Sequence, residues 1–119
     1  MTNEKILELL NTQKTPFYVF DLNEVESRIK LLSKQLGENI KLCYAVKANS
    51  FISKKVSELV DYLEICSPGE YNICEKLHLP RNKYVISGVN KDEEHIDEAI
   101  SKDESIGCYT AESIHQFNL

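Results

Sequence analysis

Apolar positions along the chain follow two different rhythms. In "DLNEVESRIKLLSKQLG", Leu22, Val25, Ile29, Leu32 and Leu36 recur three or four residues apart, which is one face of a helix. Asp21 and Glu24 have the separation of a capping box at its start, and Gly37 stands where such a helix stops. Glu24, Arg28, Lys30 and Lys34 then form a solvated face. Upstream, Ile6, Leu9 and Leu10 have helical spacing among charges, and "TPFYVF" reads as a short extended segment.

From Lys41 the rhythm shortens and repeats. The strand-like runs "KLCYAV", "YLEIC", "KYVIS" and "IGCY" begin at positions 41, 62, 83 and 106, each followed by a polar turn and a helix-periodic segment. This is the pattern of consecutive βα units on a parallel sheet. Ser67, Pro68 and Glu70 supply an N-cap, a first-turn proline and a third-position acid, and Asn90 with Glu93 repeats that logic. The inward faces are expected at Ile52, Val56, Leu59 and Val60, then Ile73, Cys74 and Leu77, then Ile96, Ala99 and Ile100.

Three architectures repeat in this way. A leucine-rich solenoid needs its leucine and asparagine signature, and a Rossmann sheet needs a GxGxxG turn; neither is present. The remaining candidate is an α/β fold, a partial (β/α)8 TIM-type barrel with about four βα units, parallel strands and an N-terminal helical segment. A complete barrel takes about 250 residues. The 119 residues here make roughly half of one, with two strand edges and one sheet face left to be covered.

Composition narrows the partners. The net charge of −5 is spread along the chain, with no basic stripe interleaved with aromatics, which argues against nucleic acid. The N-terminus lacks the apolar core of a signal peptide and no stretch is long enough to span a bilayer, so no membrane partner is expected and the cytoplasm is the expected location. Cysteines 43, 66, 74 and 108 form no CxxC pair, and three lie in apolar patterns, which predicts reduced, buried thiols. Histidines 78, 95 and 115 have no ligand spacing, to each other or to the cysteines, so no metal is expected and each reads as a helical surface or core residue.

The candidate chemistry begins at "KLCYAVKANS". An apolar run ends on Lys47 at the carboxyl end of a strand, where barrels keep reactive groups. Desolvation there would free the amine as a nucleophile toward an aldehyde. The plainer reading is a lysine that reaches out to water or pairs with Glu64 or Glu70. Spacing alone leaves both open.

Taken in order, "TPFYVFDLNEVESRI", "CYAVKANS", "LEICSPGEY" and "VISGVNKDEEHI" resemble the N-terminal half of the pyridoxal-phosphate barrel of the diaminopimelate and ornithine decarboxylase family, which shares its barrel with alanine racemase. The resemblance runs from Thr15 onward, and "YAVKAN" is a specific match. It implies that Lys47 is the Schiff-base lysine for pyridoxal 5'-phosphate. It places Glu64 where the family usually has an aspartate near the cofactor, and the extra methylene matters in a site sensitive to small displacements; otherwise Glu64 is a half-exposed strand-end acid. Glu70 matches the glutamate of the family's "SGGE", here "SPGE", and capping with Ser67 explains it without catalysis, cofactor contact being a second duty. Tyr44 and Asn49 flank the lysine and shape its pocket, or serve packing and turn chemistry. Asn90, explained by capping, receives no catalytic role.

The activity the resemblance implies is that of a pyridoxal-phosphate-dependent carboxy-lyase acting on a small amino acid. It is most like diaminopimelate decarboxylase, and so belongs to lysine biosynthesis, in a cytoplasmic homodimer. Residues 1–119 are expected to be the N-terminal part of the barrel domain. In the family, the groups that stack on the cofactor ring, grip its phosphate, pair its ring nitrogen and read the substrate come from the later barrel strands and the C-terminal β-domain, so this chain alone is expected to be inactive. A racemase on the same barrel, an ornithine-type decarboxylase and a non-catalytic regulatory relative are the alternatives.

Overall fold

The computed structural model describes residues 2–89, 91, 97 and 107–117. Strands β1 (Cys43–Ala45), β2 (Tyr62–Ile65), β3 (Tyr84–Ile86) and β4 (Cys108–Tyr109) form one parallel sheet in the order β1-β2-β3-β4. Ala45 lies beside Glu64, Glu64 beside Val85 and Val85 beside Cys108; in the next row Tyr44, Leu63 and Tyr84 are neighbours. Successive strand residues point to opposite faces, so the two rows belong to different environments. Leu63, Ile65, Tyr84 and Ile86 are buried with Val56, Val60, Tyr71, Cys74 and Leu79, from the helices and connections covering that face. Cys43, Tyr62 and Cys108, on the other face, are exposed, and Ala45, Glu64 and Val85 are half-exposed. A parallel sheet covered on one side by its own crossover helices is the geometry of a barrel segment, with the uncovered side facing the barrel interior.

That asymmetry corrects the expected cysteine environments. Cys74 alone is buried, Cys66 is half-buried, and Cys43 and Cys108 are exposed because they stand on the uncovered face; all four are free thiols. Burial, followed by the charges of Glu70 and Glu75, pushes the Cys74 thiol up to about 12, so it stays neutral.

Helices α1 (Asn3–Thr12) and α2 (Leu22–Leu36) form where the spacing predicts them. The Asp21 side chain accepts the Asn23 and Glu24 amides, and Gly37 adopts φ 81 just past the end of α2, a conformation that costs a side-chain-bearing residue. Val25 and Ile29 pack against the core, whereas Leu22, Leu32 and Leu36 are exposed, so only the middle of the apolar stripe is covered. Lys55 Nζ, on α3 (Ser53–Ser57), reaches Glu26 at 3.0 Å and ties α3 to α2. The "TPFYVF" segment pairs with no strand among the described residues; Phe20 instead stacks on Phe51 with ring centroids 6.4 Å apart.

Helix α4 (Pro68–Lys76) begins at Ser67, whose Oγ accepts the Glu70 amide, and has proline in its first turn. Its inward residues are Tyr71, Cys74 and Leu77, while Ile73, expected inside, is 37% exposed. Tyr71, which the apolar spacing did not single out, fills that space and meets Tyr84 edge to face at 6.2 Å. The helix ends in a Schellman motif: the His78 amide bonds to Glu75 O at 2.9 Å and the Leu79 amide to Cys74 O at 3.1 Å. His78, at φ 53, therefore sits just past the helix on which it was expected, exposed in a left-handed conformation.

At the amino ends of the strands, Lys83 Nζ donates to Ser57 O at 2.7 Å and Val60 O at 2.8 Å, and the Leu42 amide donates to Asp61 Oδ2 at 2.8 Å. These bonds fix connections at the end of the sheet away from Lys47. The expected inner face at Ile96, Ala99 and Ile100, the Asn90–Glu93 cap, His95 and the side chain of His115 lie outside the described residues.

Candidate active site

Strand β1 is shorter than its apolar run. It stops at Ala45, and Val46–Ala48 form a 3-10 turn in which Val46 takes the buried position. Lys47 follows it out of the core with its side chain 60% exposed, so the described residues do not supply the desolvation that a buried strand end would have given. Its Nζ points across the sheet end, donating to Cys66 Sγ at 3.7 Å and lying 4.0 Å from Glu64 Oε2.

Glu64 stands on the uncovered face of β2. Its other oxygen, Oε1, accepts the Ser87 hydroxyl at 2.9 Å, and Ser87 Oγ lies 3.4 Å from Cys66 Sγ. Lys47, Glu64, Ser87 and Cys66 thus close a ring of four polar side chains over the carboxyl ends of β1, β2 and β3. Cys66 and Ser87 were missed in the sequence, where one read as packing and the other as the end of a strand. The available signal is that each directly follows one of two register partners, Ile65 and Ile86. Gly88 makes their approach possible: at φ 89, a Cβ there would lie 3.3 Å from both Cys66 Cβ and Cys66 O.

The other expected residues stand around this ring. Glu70 uses both oxygens locally: Oε2 accepts the Cys66 amide at 2.9 Å and Oε1 the Ser67 hydroxyl at 3.0 Å. Its carboxylate therefore fixes the backbone beneath Cys66 while closing the first turn of α4. Tyr44 belongs to the helix-covered row, and its hydroxyl donates to Asn49 O at 3.0 Å, bracing the Lys47 turn from below; burial raises the pKa of this phenol. Asn49 Oδ1 in turn accepts the Phe51 amide at 3.1 Å.

The exit of β3 is braced by that of β4. The Gly88 amide donates to Glu112 Oε1 at 3.0 Å, and Gln116 Nε2 donates to Val89 O at 3.2 Å. Lys91 Nζ bonds to Glu112 Oε2 and Thr110 O and lies 4.5 Å from the centre of the Tyr109 ring. The Lys91 ammonium first, and then the Thr110 hydroxyl, hold the Glu112 carboxyl at about 2. Among the described residues, no group of three or more His, Cys, Asp or Glu side chains could hold a metal ion, and no helix is long and apolar enough to cross a membrane.

An accessible primary amine with a carboxylate beside it, at the mouth of a parallel sheet, fits the aldehyde end of pyridoxal phosphate. The ring itself offers no cationic grip for a phosphate besides that amine. Residues 22–119 match the family model described as "Pyridoxal-dependent decarboxylase, pyridoxal binding domain". The diaminopimelate decarboxylase of Aquifex aeolicus is 32% identical over 114 residues, covering 94% of this chain and 26% of the relative. The 2-[(L-alanin-3-ylcarbamoyl)methyl]-2-hydroxybutanedioate decarboxylase of Staphylococcus aureus is 30% identical over 118 residues, covering 95% and 28%. The crystal structure of diaminopimelate decarboxylase from Helicobacter pylori complexed with L-lysine has a TM-score of 0.77 at 30% identity, covering 95% of this chain and 29% of that one. The chain thus spans between 26% and 29% of the length of these relatives.

Proposed function

Since the chain belongs to the pyridoxal-dependent decarboxylase family, we propose that residues 1–119 form the N-terminal, amine-bearing part of the barrel domain of an amino-acid decarboxylase in which Lys47 is the Schiff-base lysine. The observation that carries this reading is the placement of the Lys47 amine at the carboxyl end of β1, exposed and facing the Glu64 carboxylate of the next strand at 4.0 Å. When bound, pyridoxal phosphate supplies an aldehyde for that amine and a conjugated ring that accepts the electron pair left as carbon dioxide departs.

The residues of this chain act around that chemistry. Lys47 Nζ anchors the cofactor and, when free, holds or delivers a proton at the reacting centre. Glu64 Oε2, 4.0 Å from Nζ, orients the amine across the sheet end. Glu70 acts through the Cys66 amide and the Ser67 hydroxyl, keeping the end of β2 in place under the amine, and Tyr44 holds the turn that carries Lys47. The phosphate grip, ring contacts and substrate recognition belong to segments outside these side chains, so the 119 residues alone should not turn over substrate.

The proposed substrate is a small amino acid of the diaminopimelate type, in a cytoplasmic homodimer serving lysine biosynthesis. Decarboxylation of a larger amino-acid conjugate is the second reading, favoured by the relative from Staphylococcus aureus at nearly the same identity. The test is to mix the chain with pyridoxal phosphate, reduce with borohydride and locate the adduct by peptide mass spectrometry. An adduct concentrated on Lys47 and lost in Lys47→Ala is the expected result. Labelling spread evenly over exposed lysines would mean that the site needs the later barrel segments, and a longer protein that also left Lys47 unlabelled would overturn the assignment.

A further inference from the structure

Cys66 and Ser87 have no part in the reading of Lys47 and Glu64, yet they close the ring between them. The direction of each bond can be worked out. An ionised Glu64 only accepts, so the single Ser87 proton goes to Oε1 at 2.9 Å. Ser87 Oγ must then be the acceptor of the Cys66 thiol proton at 3.4 Å, and Cys66 Sγ is left to accept from Lys47 Nζ at 3.7 Å. Lys47 thus sits on the donor side of both arms of the ring and Glu64 accepts at the end of each, with the serine hydroxyl fixing the carboxylate end.

Ser87 is itself held firmly. Its amide donates to Ile65 O at 2.9 Å, and the following Gly88 amide donates to Glu112 Oε1 at 3.0 Å. Glu64 has no such rigidity, because three rotatable bonds separate its carboxylate from a half-exposed backbone position, and an untethered side chain of this kind samples several rotamers. We infer that Ser87 is a positioning residue whose hydroxyl selects the Glu64 rotamer that presents Oε2 to the Lys47 amine. The same bond makes a glutamate workable where the sequence resemblance puts the shorter aspartate. This inference rests on the proposed pairing of Lys47 with Glu64.

Trace acetylation of the full chain with acetic anhydride reads the pairing without the cofactor, because an amine held by a carboxylate 4.0 Å away is less available to the reagent than a released one. The rate at Lys47 is measured against Lys14 and Lys34, which are exposed and lie outside the ring. A full unit charge about 4 Å away in water-like surroundings corresponds to about a fivefold change in rate. Glu64→Gln should therefore accelerate Lys47 by about fivefold, and Ser87→Ala, which loosens the carboxylate without removing it, by roughly two- to threefold. Ser87→Thr, which keeps the hydroxyl, should restore the original rate, and Ser87→Ala should add nothing in the Glu64→Gln background. Normalisation to Lys14 and Lys34 separates these effects from general loosening, which accelerates all lysines together.

If Glu64→Gln accelerates Lys47 but Ser87→Ala does not, or Ser87→Thr fails to rescue, or the two substitutions act independently, Ser87 does not position Glu64 and the inference fails while the pairing stands. If Glu64→Gln leaves the rate unchanged, the pairing itself fails.

Discussion

Gly88→Ala tests how tightly the end of β3 is built against Cys66. At φ 89, any residue with a Cβ pays about 1–2 kcal/mol relative to glycine. The new methyl would also sit 3.3 Å from Cys66 Cβ and Cys66 O, and one of those atoms is backbone. The loop has little room to move away, because the Gly88 amide is bonded to Glu112 and the Val89 carbonyl to Gln116. Conformational cost and crowding together come to about 2–3 kcal/mol, which in a chain of this size lowers the melting temperature by roughly 10 °C. Urea and thermal unfolding followed by circular dichroism measure it. Gly69→Ala is the internal control, since Gly69 has no positive φ and a Cβ there meets only Ser67 Oγ, at 4.0 Å. It should change stability by no more than about 0.5 kcal/mol. A Gly88→Ala chain as stable as the parent, or a Gly69→Ala chain destabilised as much as Gly88→Ala, would refute the close-approach argument.

Two further outcomes follow from the same framework. His78→Gly relieves a left-handed residue at an exposed helix end and should stabilise the chain by about 0.5–1 kcal/mol after the greater freedom of the unfolded glycine is deducted; an unchanged urea midpoint would refute this. Glu26, bonded first by Lys30 and then by Lys55, and Glu112, bonded first by Lys91, both lie at about 2 instead of the usual 4.5. Their folded-state values are below the unfolded ones, so the stability they contribute is complete above about 4.5 and is lost as pH falls toward 2. Urea melts across that window should decline less steeply for Glu112→Gln than for the parent, and equal slopes would dissociate Glu112 from the acid response.

Much of the fold was legible because the physics that sets it is local. The start of α2 is written in Asp21, its end in Gly37, and the four strands in apolar runs bounded by polar turns, so the consecutive parallel units followed directly. Strand length was less legible, since apolar character continues through Val46 although the backbone has already turned. That difference moved Lys47 from a buried strand end to an exposed turn. Ile73 looked inward on hydrophobicity, but the phase set by the Pro68 start gives that side of α4 to Tyr71 and Cys74. His78 carried no glycine to mark the helix end. The Cys66–Ser87 contact depends on register between strands, which periodicity along one strand does not encode.

The order of strands in the sheet is also the order in which they leave the ribosome. Partners Cys43 and Tyr62, Leu63 and Tyr84, and Val85 and Cys108 are each separated by about one βα unit, so every addition closes a short loop onto an edge already formed. Growth can therefore proceed one unit at a time without waiting for distant chain. Lys47 needs only β2 docked on β1 to reach Glu64 and Cys66, and Ser87 only the following strand, so the polar ring requires no more than three neighbouring strands of the sheet.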